Sequence, residues 1–397
     1  MSASNYDVMI PELWENSIQD WLNPRLIAEE ICNMKWPSLM NEGDTVHWNA
    51  IPDFRNQAYT PGTDLTIDTV TAIDSTLVVN RSRAATAYID PTQTKQIAAK
   101  EYVAKGSKQA ADTLARELDN HVLATGVAGV ASGNSVSGTI TLSSGNFFQY
   151  AAQLKGILAE SNAVDGELFL CVNPTGTAKM AQAGVVNGFQ LADDVLMKGI
   201  SPFYAKFDGF RIYETNCLPT TVTLDLVNIP TAGETFTLHG VTFTWAAAGA
   251  ATNAGDIAIG ANVAAARANF LLAIAGTATG SASTYIDLSS ENRRKLQNAG
   301  LAASAFATNT TTLTSTGSIR ASETMADAAN VFGTETTTFL AGRLGAIACA
   351  RQMAPSVYFK DEPKQLGQNM IAHQLYGDAV FSRDAYRLAK MTVVNAY

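Results

Sequence analysis

A run of alternating residues decides the fold: Thr45-Val46-His47-Trp48-Asn49-Ala50-Ile51. Its period of two is that of a β-strand, and Thr, Val and Ile dominate the whole stretch Asp44–Ile89. Pro61 and Gly62, in the middle of this stretch, provide the chemistry of a tight turn. The pattern predicts one extended β-hairpin over residues 44–90. A lone two-stranded hairpin is marginally stable in water, so we expect this one to lie against another copy of the chain.

One long amphipathic helix is predicted directly after the hairpin, over Gln93–Ala124. Asp90 is a suitable N-cap, and Pro91 is favoured at the first helical position. The predicted apolar side of the helix consists of Ala99, Val103, Ala110, Leu114, Leu118 and Val122. The predicted opposite side carries Lys105, Lys108, Asp112, Arg116 and Asp119. Because acidic and basic residues alternate there, we expect a solvated face rather than a nucleic-acid surface.

Changes in composition divide the chain into six segments. In the first, apolar residues recur at helical spacing, among them Trp14 and Trp21, and we expect these short helices to dock on their own subunit or on a neighbour. In the fifth, His239-Gly240 is the predicted turn of a hairpin between alternating strands. The segments are an N-terminal arm (1–43), the hairpin (44–90), the long helix with a Gly/Ser/Thr linker or loose hairpin after it (91–145), an α/β part (146–220), an inserted β-rich domain poor in charge (221–339), and closing strands of the α/β part (340–397).

Composition limits the classes of partner. The chain has 397 residues, only 16% of them charged, and a formal net charge of −9. This charge opposes a general affinity for nucleic acid. The low charge fits either buried subunit contacts or a β protein rich in small residues. The four cysteines are far apart, which favours buried free thiols, and we expect neither a signal peptide nor a membrane span.

Motifs of catalysis are missing from the sequence. There is no phosphate-binding GxxxxGK[ST] loop, no GxSxG nucleophile elbow and no HExxH zinc motif. The four histidines are isolated, and the paired carboxylates Asp193 and Asp194 adjoin sequence typical of a helix. We therefore predict no enzymatic activity, no cofactor and no catalytic or metal-binding residues.

The order of these segments resembles the major capsid proteins of tailed bacteriophages. That family has an N-terminal arm, an extended hairpin loop, a peripheral domain with a long spine helix, and an α/β axial domain. The resemblance implies an α+β fold of this kind, with 221–339 as an inserted β-rich domain of Ig-like or α+β type. The motifs that carry it are the loop tip Tyr59–Asp64, the strand Asp208-Gly209-Phe210-Arg211-Ile212-Tyr213-Glu214-Thr215-Asn216-Cys217-Leu218-Pro219, the segment Phe339–Arg351 and a late Tyr376-Gly377 turn.

The resemblance implies a subunit that assembles with itself into hexamers and pentamers of an icosahedral shell. Such a shell would enclose double-stranded DNA without sequence-specific binding, would form in the host bacterial cytoplasm and would become part of the virion. Candidate partners are a scaffolding protein, a portal and a decoration protein, and no membrane is involved. The residues that we expect at contacts between subunits are Trp14, Trp21, Val46, Trp48, Tyr59, Leu65, Ile67, Leu77 and Val79.

Three other functions stay open at this point. The chain could be another virion component, such as a tail or adhesin-like protein built on 221–339. It could form the shell of a cellular nanocompartment, which shares the fold. It could also be an α/β enzyme with a site near Asp193 and Asp194.

Overall fold

In a computed structural model, the structure describes residues 26–35, 44–52, 54–67, 69, 71–89, 99–187, 203–207, 209–276, 281–361 and 367–395. For residues 99–104, 183–187 and 203–207 the backbone alone is described. The α-helices in these ranges are α1 (Ala28–Ile31), α2 (Ala99–Ala128), α3 (Phe147–Glu160), α4 (Pro174–Asn187), α5 (Val263–Ala275) and α6 (Ser290–Asn298).

The strands in the same ranges are β1 (Cys32–Asn33), β2 (Thr45–Ala50), β3 (Ile73–Val78), β4 (Arg81–Ile89), β5 (Ser135–Ile140), β6 (Leu168–Val172), β7 (Phe203–Phe207), β8 (Phe210–Glu214), β9 (Pro219–Leu226), β10 (Thr235–Leu238), β11 (Val241–Ala246), β12 (Asp256–Ala258), β13 (Ala302–Ala303), β14 (Thr310–Thr316), β15 (Ser322–Glu323), β16 (Asn330–Phe332), β17 (Thr336–Arg343), β18 (Ile347–Asp361), β19 (Gln368–Ala379) and β20 (Leu388–Val394). A short 3-10 helix, Asp384–Arg387, precedes β20.

The largest sheet has ten strands, and β17 lies inside it. This strand pairs antiparallel with β20, β6 and, through Thr336 and Thr337, β9. Strand β5 pairs with β20 in parallel, so the stretch expected to be a linker or loose hairpin contributes a strand to the main sheet. The helix α3 buries one face, including Phe147 and Leu154, in the same apolar core. These elements confirm the α/β character predicted for this part of the chain.

A second apolar core is formed by residues between Val222 and Phe332, within the predicted insertion. Strands β10 and β11 pair as the predicted hairpin. Its turn residues, His239 and Gly240, have φ values of +51° and +73°, and two positive values in succession are those of a type I′ turn. The main sheet continues into this region through β9 and β14. The bounds 221–339 of a separate domain stay a prediction.

A buried carboxylate joins this second core to the main sheet. Glu335, just before β17, accepts hydrogen bonds from the backbone amides of Ile319 (3.1 Å) and Arg320 (2.7 Å). Its other hydrogen bonds come from the Ser318 hydroxyl (3.0 Å) and the Asn395 side-chain amide (2.8 Å). Four donors compensate for the removal of the carboxylate from water, so this contact fixes the loop before β15 against the end of β20.

The predicted extended hairpin is shorter in the structure. Strands β2 and β3 pair from Thr45↔Val78 to Ala50↔Ile73. The predicted continuation through 65–68 is not a strand in the described residues. Strand β4 belongs to a different sheet, in which it lies next to β19. Its last residue, Ile89, is buried in a separate apolar cluster. We call β2, β3 and the intervening residues 51–72 the loop ribbon.

The described residues form two compact units. One consists of 82–89, 99–115, 353–361 and 367–375, and its core contains Ile89, Ala110, Leu114, Met370 and Ala372. The other contains the remaining described residues, including the loop ribbon and both larger cores. Buried Ala110, Leu114, Leu118 and Val122 confirm this part of the predicted apolar side of the long helix. The side chains of Ala99 and Val103, predicted on the same side, lie outside the described residues. The predicted helix start at Asp90 and Pro91 lies outside the described residues.

The cysteines agree with the prediction of free thiols. All four are unpaired by disulfide, and Cys171, Cys217 and Cys349 are buried. Burial raises the pKa of each of these three thiols, so they remain protonated and apolar in character.

Asp119 contradicts its predicted place on a solvated helix face. Its side chain is buried and accepts hydrogen bonds from the backbone amides of Ile27 (2.6 Å) and Ala28 (3.1 Å). The segment 26–33 therefore covers this side of α2, and Ile27, Ala28 and Ile31 enter the main core. The pKa of Asp119 is raised to about 6, chiefly by burial and to a lesser extent by the nearby Glu29. The hydrogen bonds from the two amides and the charge of Arg351 lower it, but they do not offset the effect of burial.

Replacing Asp119 tests this arrangement through the pH dependence of stability. The folded state binds the Asp119 proton more tightly than the unfolded chain, so this group favours the fold most below about pH 4 and less as the pH rises through about 6. Relative to Asp119→Asn, the wild-type free energy of unfolding should fall by roughly 2 kcal/mol from pH 4 to pH 7. Urea unfolding of both proteins across this range measures the difference. A difference that does not vary with pH would contradict the assignment.

The Tyr376-Gly377 pair, expected to form a turn, lies inside strand β19. A Cβ atom on Gly377 would clash with the backbone carbonyl oxygen of Val78. The glycine is therefore required for the close approach of two backbone segments rather than for a turn.

The substitution Gly377→Ala should destabilise the protein by about 1–3 kcal/mol, because one of the two backbones must move. The matched control is Gly156→Ala in α3, where an added Cβ has no neighbour within 4 Å. In a helix interior this same change should stabilise by roughly 0.5–1 kcal/mol. Chemical unfolding of the two variants gives both values, and equal effects would show that Gly377 is not a close-approach position.

Candidate subunit interface

The root of the loop ribbon is fixed to the segment that follows β19. The Trp48 ring stacks on Phe381 with centroids 6.4 Å apart and planes 15° from parallel. The Ser75 and Ser382 hydroxyls are 3.0 Å apart, and the Arg383 guanidinium donates to the carbonyl of Ile51. These contacts hold the two strands in place where they leave the body.

The far part of the ribbon keeps its shape through local hydrogen bonds. The Thr63 amide donates to the Thr60 carbonyl (3.1 Å), and Gly62 between them has a φ of +89°. This is the turn that Pro61 and Gly62 predict. Nearby, the Gln57 side chain both donates to the Thr66 carbonyl (2.8 Å) and accepts from the Thr66 amide (3.2 Å). The side-chain amide of Gln57 thus replaces the backbone pairing that a strand would have provided.

Large apolar side chains along the ribbon are left in solvent. Ile67 is 91% exposed, the highest value among the exposed large hydrophobic residues. The others on the ribbon with more than a third of their surface exposed are Trp48, Ile51, Phe54, Tyr59, Leu65, Ile73 and Val78. Eight large apolar side chains exposed on one short segment favour a protein–protein contact.

The predicted contact residues fall into three groups: those that are exposed or half-buried, those outside the described residues, and those that are buried. Trp48, Tyr59, Leu65 and Ile67 are exposed, and Val46 is half-buried. Trp14 and Trp21 lie outside the described residues.

Leu77 and Val79 correct the prediction, because both are buried within the subunit, at 0% and 5% exposure. Residues two apart share one side of an extended chain, and on β3 that side faces the body. These two residues therefore have no surface left for a neighbour.

Several exposed residues were missed by the sequence reading. Ile51 and Phe54 lie just after β2 and flank Pro52 and Asp53, and this neighbourhood was a usable signal of apolar side chains in a loop. In the other unit, Met353, Tyr358 and Phe359 on β18 and Tyr88 on β4 are also exposed. Their strands alternate only weakly, so the sequence gave no sign of which face was open.

No group of three or more His, Cys, Asp or Glu side chains among the described residues could hold a metal ion. Each histidine has one polar neighbour: His47 with Asp74, His121 with Asp378, His239 with Ser315 and His373 with Ser82. Asp193 and Asp194 lie outside the described residues. Within the described helices, none is both long and apolar enough to cross a bilayer.

Comparison with known proteins gives a fold but no close relative. No protein-family model matches the chain, and no curated protein matches it. Among solved structures, it is similar to a chain of Mycobacterium phage Che8, with a TM-score of 0.59, 12% identity and coverage of 98% of both chains. It is similar to a chain in the capsid structure of the cyanophage P-SCSP1u, with a TM-score of 0.55, 11% identity and coverage of 100% of this chain and 96% of that one.

A third similar chain comes from the asymmetric unit of the mature capsid of bacteriophage PhiM1, with a TM-score of 0.50, 10% identity and coverage of 98% of this chain and 93% of that one. These likenesses extend over nearly the whole of each chain. The protein therefore has the fold of tailed-phage major capsid proteins, which confirms the predicted fold class.

Replacing two exposed ribbon residues should separate folding from association. In the double variant Leu65→Ser, Ile67→Ser, the free energy of unfolding of the subunit should change by less than about 0.5 kcal/mol, because both side chains are largely in solvent. Association between copies should weaken, because the apolar contact area is lost.

The matched variant Leu77→Ala should instead destabilise the subunit by about 2–5 kcal/mol, since it creates a cavity in the body. Urea unfolding and analytical ultracentrifugation measure the two properties. Normal association of the Leu65→Ser, Ile67→Ser protein would exclude these side chains from the interface.

Proposed function

We propose that the protein is a major capsid protein, whose copies form the icosahedral shell around phage double-stranded DNA. The observation that carries this proposal is the loop ribbon, which exposes large apolar side chains in a chain with the capsid fold. A ribbon fixed at its root but uncovered along its length has an obvious use only when a second subunit covers it.

The size of the expected contact is sufficient for assembly. At about 25 cal/mol per Å², roughly 300 Å² of buried apolar area contributes about 7 kcal/mol before the entropy of association is subtracted. In a closed ring each subunit makes this contact twice, once with its own ribbon and once under its neighbour's, so modest contacts are enough. Hexamers and pentamers arranged in this way would form the shell.

The charge of the chain fits a container for DNA. With a net charge of −9, the subunit lacks the excess of cations that strong DNA binding requires. The proposed shell would therefore enclose DNA without reading its sequence, and it would form in the host bacterial cytoplasm before becoming part of the virion. Scaffolding, portal and decoration proteins are the partners that such a shell would need.

A structural role without enzymatic activity belongs to the same proposal. It is supported by the capsid fold. The exposed pair of His47 and Asp74 lies on the ribbon rather than in an enclosed cleft, where catalysis would be expected.

Deleting the ribbon tip tests the function directly. A chain that lacks residues 56–70 should remain a folded, soluble monomer, because β2, β3 and the contacts of Trp48 are kept. It should fail to form shells, because the exposed apolar side chains Tyr59, Leu65 and Ile67 are lost. Negative-stain electron microscopy at high protein concentration, beside the full chain, is the measurement.

Closed particles of normal size from the shortened chain would refute the role of the ribbon. Failure of the full chain to form any particle, with or without DNA and scaffold, would refute the capsid proposal. Particles of the full chain that contain protein cargo and no DNA would identify a nanocompartment shell instead.

A further inference from the structure

A segment of three consecutive residues, Phe381–Arg383, contacts the root of the loop ribbon with every one of its side chains. In chain order, these side chains stack on the Trp48 ring, form a hydrogen bond of 3.0 Å with the Ser75 hydroxyl, and donate to the Ile51 carbonyl. We call Phe381–Arg383 the root clasp. It directly follows β19, so it belongs to the body that carries the ribbon.

The root clasp contacts both strands of the ribbon at one level. Trp48 on β2 and Ser75 on β3 are directly paired across the ribbon. Partners of this kind share one face of an antiparallel pair, and here both side chains face the clasp. The third contact, at Ile51, lies farther along the ribbon than the last pair of β2 and β3. Contacts across the width and along the length of the ribbon oppose both its twisting and its tilting against the body.

Beside these contacts the ribbon and the body are separated by open volume. A cavity of about 560 Å³ lies at the root, and its lining includes Trp48, Ala50 and Ser75 from the ribbon and Asn33 and Ala348 from the body. Close packing in this volume would leave the ribbon a single position, because packed side chains resist displacement. The cavity instead leaves room for the ribbon to turn towards β1 and β18.

A small turn at the root becomes a large displacement at the tip. About 12 residues separate Trp48 from the tip turn at Pro61 and Gly62, and they span at most roughly 40 Å. A turn of about 10° at the root would then move the tip by roughly 7 Å, which exceeds the distance between neighbouring strands of a sheet. The place at which the tip meets another subunit therefore depends on the contacts at the root.

We propose that the root clasp sets the angle between the loop ribbon and the body, and through this angle the curvature and diameter of the shell. The inference rests on the proposed function, in which the ribbon of one subunit lies over the next. The angle between ribbon and body is then part of the angle between neighbouring subunits, and shells of one size require a narrow range of it. Phe381, Ser382 and Arg383 are positioning residues, because they act through the ribbon.

Replacing the two exposed residues of the clasp tests the inference in the full-length protein. The clasp variant is Ser382→Ala, Arg383→Gln, and the control variant is Ser137→Ala, Arg387→Gln. All four side chains are exposed, and both variants make the same chemical changes. Arg387 pairs with Asp384 and not with the ribbon. Because neither variant alters the core, both should keep the wild-type midpoint of urea unfolding.

Pulsed electron paramagnetic resonance of the dilute, unassembled protein measures the position of the ribbon. Thr63 at the tip and Ala159 on α3 are replaced by p-acetylphenylalanine and spin-labelled, which leaves the native cysteines unlabelled. Wild type and the control variant should give one narrow distribution of distances. In the clasp variant the population outside this peak should rise about tenfold, because two hydrogen bonds that fix the angle are lost.

Electron microscopy of assembled particles measures the consequence for the shell. The full-length wild type and the control variant should form particles of one diameter. The clasp variant should still associate, because the exposed side chains of the ribbon are unchanged. Its particles should lose the single diameter and show a broad range of sizes, because the ribbon then meets the neighbouring subunit at several angles.

A disulfide across the clasp provides a rescue that a general effect on folding would not give. In Ser75→Cys, Ser382→Cys, thiols replace two hydroxyls that are 3.0 Å apart, and mild oxidation should join them. Mass spectrometry of the digested protein checks the bond. Added to Arg383→Gln, this bond should restore the narrow distribution of distances and the single particle diameter, and a reductant should abolish both.

The outcomes keep this inference apart from the proposed function. An unchanged distribution of distances or an unchanged particle diameter in the clasp variant would refute the inference and leave the capsid proposal intact. Equal broadening in the control variant, or a disulfide that does not form or does not rescue, would refute it as well. If the full chain formed no particles but the clasp variant still broadened the distances, the clasp would position the ribbon, and its role in curvature would fall together with the capsid proposal.

Discussion

Strand β17 is the element on which the rest of the larger unit depends. It forms backbone hydrogen bonds with β6, β9 and β20, three strands that lie far apart in the sequence. Phe339, Leu340 and Ala341 on this strand are completely buried. Because the strand is enclosed on both faces, a change in its register would remove apolar side chains from the core and break pairing with three neighbours at once. The main core and the core of the 222–332 region are therefore joined through one backbone.

Buried carboxylates fix the segments that the sheet does not hold. Glu335 joins the loop at 318–320 to Asn395 at the end of β20. Asp119 joins the long helix to the segment at Ile27 and Ala28. In both cases the carboxylate accepts hydrogen bonds from backbone amides that have no partner in a helix or strand. These hydrogen bonds position a connecting segment, and they offset the cost of removing the carboxylate from water. Such contacts specify one arrangement of the chain, which apolar packing alone would leave less well defined.

The loop ribbon is held by contacts at its root and at its tip, with exposed apolar side chains between them. Its root is held by Trp48, Ser75 and Ile51 against Phe381–Arg383, and its tip by hydrogen bonds around Gln57 and Thr63. The exposed apolar side chains between its root and its tip, such as Phe54 and Ile67, are nevertheless left largely in solvent. In the proposed shell, this exposed surface offers apolar area to a neighbouring subunit.

The sequence by itself determined the long helix, the tip turn at Pro61 and Gly62, the His239-Gly240 hairpin and the absence of known catalytic motifs. These depend on local periodicity and on residues with special backbone preferences, and neighbours a few positions away are enough to define them. The sequence did not reveal that Asp119 is buried, that β4 leaves the hairpin, that Gly377 lies in a strand, or that Leu77 and Val79 face inward. Each of these depends on a partner more than 50 residues away or on which side of a strand meets the body. Only the tertiary structure decided them, because an alternating pattern defines two faces of a strand without stating which of the two will find a partner.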